Sequence, residues 1–209
     1  HAIADGRGRI SPTRNSVLEQ VELALEFARE RGCGAGPFPF LNDHARFLYF
    51  RGDRARPDDP AWEDPTCTVT VLSGLPGAGK DTWVREHRPD LPVVSLDRIR
   101  ARLGVAPTDN QGTVIQAARE EARTHLRAKR DFVWNATNVT RQVRRMPIGL
   151  CAQYGARVEI VAIETTSDAL FKQNRSRTNA VPDTVLSNLI RKWEAPDSVE
   201  AHAVHWYDA

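Results

Sequence analysis

A glycine-rich segment directly behind a β-branched run is the feature that most constrains the fold. Residues 67–73 read Cys-Thr-Val-Thr-Val-Leu-Ser, and residues 74–82 continue as Gly-Leu-Pro-Gly-Ala-Gly-Lys-Asp-Thr. A G-x-x-x-x-G-K segment between a strand and a helix surrounds a phosphate group with backbone N–H groups and a helix N-terminus. We expect all three glycines to adopt positive φ, and Lys80 to reach the β- and γ-phosphates of a nucleotide. A plain glycine-rich turn is the alternative.

Residues 74–82 are called the phosphate loop below, and one of its positions departs from the usual motif. The motif has a Ser or Thr hydroxyl for a magnesium ion after the lysine, whereas this chain has Asp81, followed by Thr82. A carboxylate can hold magnesium directly or through water, so Asp81 is the predicted metal ligand. The predicted phosphate-binding residues of the loop are Gly74, Leu75, Pro76, Gly77, Ala78, Gly79, Lys80, Asp81 and Thr82.

Length and composition favour one α/β domain with some additional chain. The protein has 209 residues and a formal net charge of +2, so a nucleic-acid partner would need locally clustered basic residues. Its three cysteines are widely separated and lack metal-ligand spacing, which favours a reducing compartment. Without an apolar run long enough for a membrane span or a signal peptide, we expect a cytoplasmic protein with no membrane partner. The start at His1 suggests a fragment of a longer polypeptide.

Apolar periodicity predicts alternating strands and helices over most of the chain. We expect a parallel sheet with helices on both faces, in a P-loop kinase fold with a small helical lid. Residues 66–209 are predicted to form the kinase domain, and residues 1–65 an N-terminal extension. The predicted strands are 69–73, 92–96, 132–135, 158–163 and 204–207; the predicted helices are 16–31, 80–87, 113–130, 141–154 and 184–193; residues 47–50 are predicted as a strand or packed turn, and 51–65 as irregular.

Asp97 and Arg100 follow the second predicted strand, at the sheet edge where ligands of such folds bind. The carboxylate can accept the proton of an attacking hydroxyl, and Arg100, one helical turn further on, can hold an anionic group of the acceptor. In the alternative, Asp97 is a helix N-cap and the arginines form a solvated face.

Polar side chains also follow the third predicted strand. Asn135, Thr137 and Asn138 could orient an acceptor hydroxyl or a magnesium-bound water, and Arg141 and Arg144 could meet phosphates. The alternative is an ordinary strand-to-helix turn capped by Asn138 or Thr140. Six arginines follow strand ends, which predicts a basic rim: Arg98, Arg100, Arg102, Arg141, Arg144 and Arg145.

A basic segment after the fourth predicted strand can fold over the nucleotide. Arg177, with Arg175 next, is predicted to neutralise charge on the transferred phosphoryl group. A solvated basic helix end is the alternative. Together with the phosphate loop, this segment completes the donor side of the predicted site.

The ordered combination of these motifs resembles the polynucleotide 5′-kinase family of P-loop phosphotransferases. The motifs are Gly-Leu-Pro-Gly-Ala-Gly-Lys, Ser-x-Asp-x-Ile-Arg, Asn-Ala-Thr-Asn, Asn-Arg-Ser-Arg and Ala-Val-Pro-x-x-Val-Leu, over residues 68–196. The resemblance implies that Lys80 holds the donor's β-phosphate, that Asp97 is the general base for a 5′-hydroxyl, that Arg100 contacts the acceptor's 3′-phosphate, and that Arg177 is a lid arginine.

Three residues depart from this family pattern. Asp81 replaces the metal-binding hydroxyl, Asn135 stands where related sequences often carry Asp, and Gln173 occupies a lid position often held by Arg. Metal binding is therefore the part of the family mechanism that these substitutions affect most.

The resemblance implies a kinase that uses ATP or GTP with Mg²⁺ or Mn²⁺ to phosphorylate the 5′-OH end of RNA or DNA during nucleic-acid repair. The phosphate loop is also similar to that of bacterial RNA end-healing enzymes in which an HD-type phosphohydrolase precedes the kinase. The alternatives are a small-molecule kinase acting on a nucleoside or sugar, and a nucleotide-binding module without catalysis.

Overall fold

Five parallel strands form the central sheet of the molecule. The computed structural model describes residues 2–8, 10, 12–33, 36–177 and 179–209. The strands are β1 Thr68–Ser73, β2 Val93–Ser95, β3 Phe132–Asn135, β4 Arg157–Glu164 and β5 Ala203–Asp208. Their order across the sheet is β2-β3-β1-β4-β5, and every neighbouring pair is parallel. The predicted parallel sheet is confirmed.

Helices cover both faces of this sheet. Those in the described ranges are α1 Ala2–Gly8, α2 Arg14–Glu30, α3 Asp43–Arg51, α4 Lys80–His87, α5 Leu96–Leu103, α6 Gly112–Arg127, α7 Arg141–Gln153, α8 Ser167–Arg175 and α9 Asp183–Arg191. Apolar side chains of α3, α6 and α7 pack in one core cluster, and those of α4, α8 and α9 pack in a second. Two separate cores are expected when a sheet with buried strands is covered on both sides.

The register of the strands brings their carboxyl ends to one edge. Ser95 of β2 pairs with Asn135 of β3, and Val71 of β1 pairs with Trp134 of β3. The segments that leave β1, β2 and β3 therefore start side by side. These three segments are the phosphate loop, the start of α5 and the turn that follows Asn135, so the fold places the predicted motifs together.

Residues 47–50 are helical, and the prediction of a strand or packed turn is wrong. They lie in α3, where the Asn42 side chain caps the N-terminus by accepting from Ala45 N at 2.8 Å, and Gly52 ends the helix with φ of 83°. Phe47 is 1% exposed and belongs to the core cluster of β1 and β3. Aromatic residues favour strands locally, but the two caps and the packing of Phe47 determine a helix here.

The leading part of the chain contributes α3 to the core, whereas α2 buries no residue. Helix α2 confirms the helix predicted over residues 16–31, and α1 was not predicted. The domain boundary at residue 65 stays a prediction. Within the described ranges no helix is both long and apolar enough to cross a membrane.

Candidate active site

The phosphate loop has the backbone conformation that the motif predicts at two of its three glycines. Gly77 and Gly79 have φ of 87° and 93°, values that residues with a Cβ rarely adopt. Gly74 does not have a positive φ, so that part of the prediction is wrong. A Cβ at Gly74 would lie 2.9 Å from the Ile163 carbonyl oxygen. Glycine is needed there because the loop passes tightly against β4.

Lys80 projects back under the phosphate loop. Its Nζ donates to the carbonyl oxygens of Gly74 and Leu75, each at 2.8 Å. An ammonium group has three N–H donors, so one remains available for a phosphate oxygen. Burial, with the nearby Arg177 guanidinium, lowers the pKa of Lys80 to about 8. The negative charge of a bound phosphate would favour the protonated, positively charged form of Lys80.

Helix α8 rests on the phosphate loop through Asn174. A Cβ at Gly77 would lie 3.1 Å from the Asn174 backbone nitrogen. The buried Asn174 side chain donates to Val181 O at 2.7 Å and accepts from Val181 N at 3.0 Å. It thus ties α8 to the segment before α9. Asn174 lies within the Asn-Arg-Ser-Arg motif, but its type and position predicted no role for it.

Asp97 lies near two arginines that come from different parts of the chain. Its Oδ1 accepts a hydrogen bond from Arg100 Nη1 on the same helix, and its Oδ2 lies 3.9 Å from Arg177 Nη2. The carboxylate is 73% exposed, so it remains accessible to a substrate. Ser95, not Asp97, caps α5 by accepting from Arg98 N at 3.4 Å. The structure therefore brings Asp97, Arg100 and Arg177 together.

Gln111 orients Arg100 and was missed by the sequence analysis. Its Oε1 accepts from Arg100 Nε at 2.8 Å, while its Nε2 donates to the carbonyl oxygens of Ala106 and Asp109. These bonds, together with the one to Asp97, hold the guanidinium in place. A glutamine in a turn carries no motif, so only the structure identifies this contact.

The two predicted lid arginines differ in their placement. Arg175 forms a salt bridge with Asp183 at 2.6 Å, and both side chains are exposed. Arg177 instead points towards Asp97 and is close enough to Lys80 to lower its pKa. Of the two, only Arg177 joins the cluster around Asp97.

The predicted acceptor residues in the turn after β3 lie in different environments. Asn135 Nδ2 donates to Asp81 Oδ1 at 2.6 Å, and the Thr137 carbonyl accepts from Gly74 N at 3.0 Å. Asn138 has φ of 46°; its Nδ2 donates to Leu72 O at 2.7 Å, and its carbonyl accepts from Ser73 Oγ at 2.8 Å. The Asn138 side chain is buried against β1, and its predicted contact with the acceptor is corrected to a bracing role.

Arg144 is the main correction to the predicted site. Its side chain is 0% exposed and donates from Nε and Nη2 to the two carboxylate oxygens of Glu200, each at 2.9 Å. Nη1 donates to the carbonyl oxygens of Asn138 and Glu194. A guanidinium enclosed in this way cannot reach a substrate phosphate.

The basic rim is smaller than the sequence suggested. Arg98 folds back to donate to the Val93 carbonyl, and Arg102 pairs with Glu121 of α6. Arg141 and Arg145 are exposed at the start of α7. Thr140 caps α7, as the alternative interpretation of this turn expected. Arg100 and Arg141 remain the predicted acceptor arginines that the fold leaves accessible.

The residues around Asp81 fit a magnesium ion. No group of three or more His, Cys, Asp and Glu residues suited to a metal occurs in the described part of the chain. Magnesium does not require one, because it commonly keeps several waters and binds one or two carboxylates together with substrate phosphates. Asp81 is exposed at the end of the phosphate loop, in the first turn of α4. Asp81 and Thr82 supply oxygen ligands of the type that magnesium prefers.

Solved structures with the same architecture include kinases. A candidate kinase from Chloroflexus aurantiacus has a TM-score of 0.57 and 17% identity, over 69% of this chain and 86% of that chain. A sugar kinase from Janibacter sp. has a TM-score of 0.50 and 18% identity, over 69% of this chain and 86% of that chain. At these identities the likeness shows the fold alone, which is a P-loop kinase-like fold.

A family model described as an AAA domain matches residues 69–196. The match includes β1, the phosphate loop, Asp97, the turn after β3 and both lid arginines. It therefore covers more than half of the chain and every element that supplies the candidate active site. The chain belongs to this AAA domain family, AAA_33, whose matched region here adopts the P-loop kinase-like fold.

Proposed function

We propose that this protein is a metal-dependent kinase that transfers the γ-phosphate of ATP or GTP to the 5′-OH end of RNA or DNA, in nucleic-acid repair. Family and fold support P-loop kinase-type phosphotransfer. One observation carries the finer proposal: the exposed Asp97 carboxylate lies between Arg100 and Arg177. In the proposed mechanism Asp97 would be the base, Arg100 the acceptor-side cation and Arg177 the donor-side cation.

Each of these groups has a separate role in the proposed reaction. The 5′-oxygen forms a bond to the γ-phosphorus, the bond from the γ-phosphorus to the β-phosphate oxygen breaks, and the nucleoside diphosphate leaves. Asp97 accepts the proton of the 5′-hydroxyl. Lys80 and Arg177 stabilise the negative charge on the phosphoryl oxygens, while the backbone of the phosphate loop positions the donor.

Asp81, with Thr82 beside it, would hold Mg²⁺ or Mn²⁺, and the ion would neutralise negative charge on the donor. On the acceptor side, Arg100 would contact the phosphate next to the reacting nucleoside. Arg141 and Thr137 would follow the nucleic acid along the edge of the sheet. An open basic edge suits a polymer, whose charge extends beyond the reacting end.

A small-molecule kinase is the second candidate, and the burial of Arg144 favours it. Arg100, Arg141 and Arg144 were the arginines predicted to contact the acceptor, and the pairing of Arg144 with Glu200 removes one of the three. A sugar or nucleoside kinase needs fewer phosphate contacts than an enzyme that binds a polynucleotide.

The deciding experiment offers γ-labelled ATP or GTP, with Mg²⁺, to 5′-hydroxyl RNA and DNA oligonucleotides and to a panel of sugars and nucleosides. We expect label at the oligonucleotide 5′ end, and none on oligonucleotides that already carry a 5′-phosphate. Label on a sugar or nucleoside alone would establish the second candidate. Nucleotide binding without transfer to any acceptor would contradict both and indicate a binding module.

Matched variants test the residue roles. Asp97→Asn should lower kcat by roughly 10²- to 10⁴-fold with little change in donor affinity, as loss of a general base does. Asp90→Asn is the control, because Asp90 is exposed at the amino end of the sheet, beside Thr68. Equal activity of the two variants would exclude Asp97 as the base.

The resemblance to RNA end-healing enzymes extends this proposal to an HD-type phosphohydrolase preceding this chain in a longer polypeptide. The cytoplasm is the proposed compartment, where the nucleic-acid substrate, ATP and GTP are present. Sequencing the coding region upstream of residue 1 tests the first of these statements.

A further inference from the structure

The two positions that depart from the family pattern at the metal site contact each other. Asp81 is the second residue of α4, and Asn135 is the last residue of β3. Asn135 Nδ2 donates to Asp81 Oδ1 at 2.6 Å, although 54 residues separate them in sequence. Asn135 is 7% exposed, whereas Asp81 is exposed. The amide is thus fixed in the sheet and the carboxylate lies at the crevice.

This hydrogen bond fixes the orientation of the Asp81 carboxylate. A hydrogen bond to a charged acceptor is stronger than one between neutral groups, so the bond holds Oδ1 in place. Oδ2 has no hydrogen-bond partner recorded in the described part of the chain, and it remains available to a ligand. Asn135 cannot supply a carboxylate, and its N–H group cannot coordinate a cation.

We propose that positions 81 and 135 have exchanged roles in this protein. The resemblance to polynucleotide kinases implies a hydroxyl at position 81 and a carboxylate at position 135; here Asp81 carries the carboxylate, and Asn135 is the positioning residue that orients it. The exchange keeps a single carboxylate at the meeting point of α4 and β3. The inference rests on the metal-and-nucleotide half of the proposed function and is independent of the acceptor.

The exchange also predicts the outcome of intermediate substitutions. Asn135→Asp alone would set two carboxylates at hydrogen-bond distance without a donor between them, which is unfavourable unless a cation binds. Asp81→Ser alone would leave a hydroxyl facing an amide, with no carboxylate at the site. The double variant Asp81→Ser with Asn135→Asp would restore one carboxylate on the β3 side.

The test measures metal binding without phosphate transfer. Mn²⁺ binding is followed by electron paramagnetic resonance in the presence of a non-hydrolysable ATP analogue. Asn135→Ala should weaken Mn²⁺ binding by about 10-fold, in the range found for groups that support a metal ligand. Asp81→Ser and Asp81→Asn remove the ligand itself and should each weaken Mn²⁺ binding at least as much, by roughly 10- to 100-fold. The double variant should bind Mn²⁺ within about 3-fold of the wild type, since one carboxylate is present again.

A matched control and a second readout keep the test decisive. Asp168→Ser removes an exposed carboxylate from the first turn of α8 and should leave Mn²⁺ binding unchanged. Asn135→Asp should lower Tm in the absence of metal and regain it when Mn²⁺ is added. The proposal is overturned if Asp81→Asn binds Mn²⁺ like the wild type, or if the double variant is as weak as Asp81→Ser. Failure to phosphorylate oligonucleotides would exclude the proposed acceptor but would not change the result of these metal-binding measurements.

Discussion

Replacing Arg144 by Met should destabilise the fold, because it leaves the Glu200 carboxylate buried without its partner. Arg144 is 0% exposed and the Glu200 side chain is 4% exposed, and the two share a bidentate pair at 2.9 Å. Breaking a buried pair from one side typically costs about 3–5 kcal/mol. The Glu194 carbonyl oxygen also loses its donor from Arg144, whereas the Asn138 carbonyl oxygen loses one donor and keeps Ser73 Oγ. We therefore expect the free energy of unfolding to fall by about 3–5 kcal/mol.

Urea unfolding at pH 7 of the wild type, Arg144→Met, Glu200→Met and the double variant measures this effect. The double variant has no unpaired buried charge. Its loss in free energy of unfolding should therefore be smaller than the sum of the two single losses, by at least about 2 kcal/mol. Arg141→Met is the control; Arg141 is exposed on the same helix, and its replacement should change stability by less than about 0.5 kcal/mol.

Two results would refute this reasoning. The first is an Arg144→Met variant whose stability lies within about 1 kcal/mol of the wild type, the range of ordinary surface substitutions. The second is normal stability combined with weakened binding of an oligonucleotide, which would return Arg144 to the acceptor site. Either result would mean that the guanidinium is not held by Glu200 in solution.

Three further predictions concern the histidine under α3 and two glycines. Burial and the nearby His44 lower the pKa of His202 to about 4, so its contribution to stability is complete above the unfolded value near 6.5 and is lost as pH falls towards 4. Between pH 7.5 and pH 5 the wild type should lose about 2 kcal/mol more than His202→Gln in urea unfolding; equal losses would show that His202 is not the group responsible. Gly74→Ala should lower Tm and abolish nucleotide binding, since its Cβ would lie 2.9 Å from the Ile163 carbonyl. A Gly74→Ala variant that binds nucleotide normally would contradict the close approach of the phosphate loop to Ile163. Gly149→Ala in α7, where a Cβ meets nothing within 4 Å, should raise the free energy of unfolding by roughly 0.5–1 kcal/mol.

The elements that the sequence predicted well are those with strong local signals. The helix beginning at Lys80 and the strand over residues 132–135 have the predicted bounds, because a glycine-rich loop and a run of buried apolar residues mark them. The helix around Phe47 was missed because its aromatic residues favour a strand locally, whereas capping by Asn42 and packing on the sheet favour a helix.

The candidate site shows the same division. Asp97, Arg100 and Arg177 were predicted from their positions after strand ends, and the structure brings all three together. Arg144 was grouped with them because it follows a strand on the same rim, yet the helix turns it inward to Glu200. Spacing identifies which residues start near the crevice; it does not show which of them finds a buried partner.

The amino-acid sequence by itself determined that a strand, a phosphate loop and a helix follow one another, and that alternating elements build a parallel sheet. These properties depend on neighbours along the chain: backbone conformation at glycine, apolar periodicity and the capping of helix ends. Only the tertiary structure decided that Asn135 holds Asp81, that Gln111 holds Arg100 and that Glu200 encloses Arg144. Each of these contacts joins residues from different elements, and a hydrogen bond or ion pair forms only at a distance that the packed fold sets.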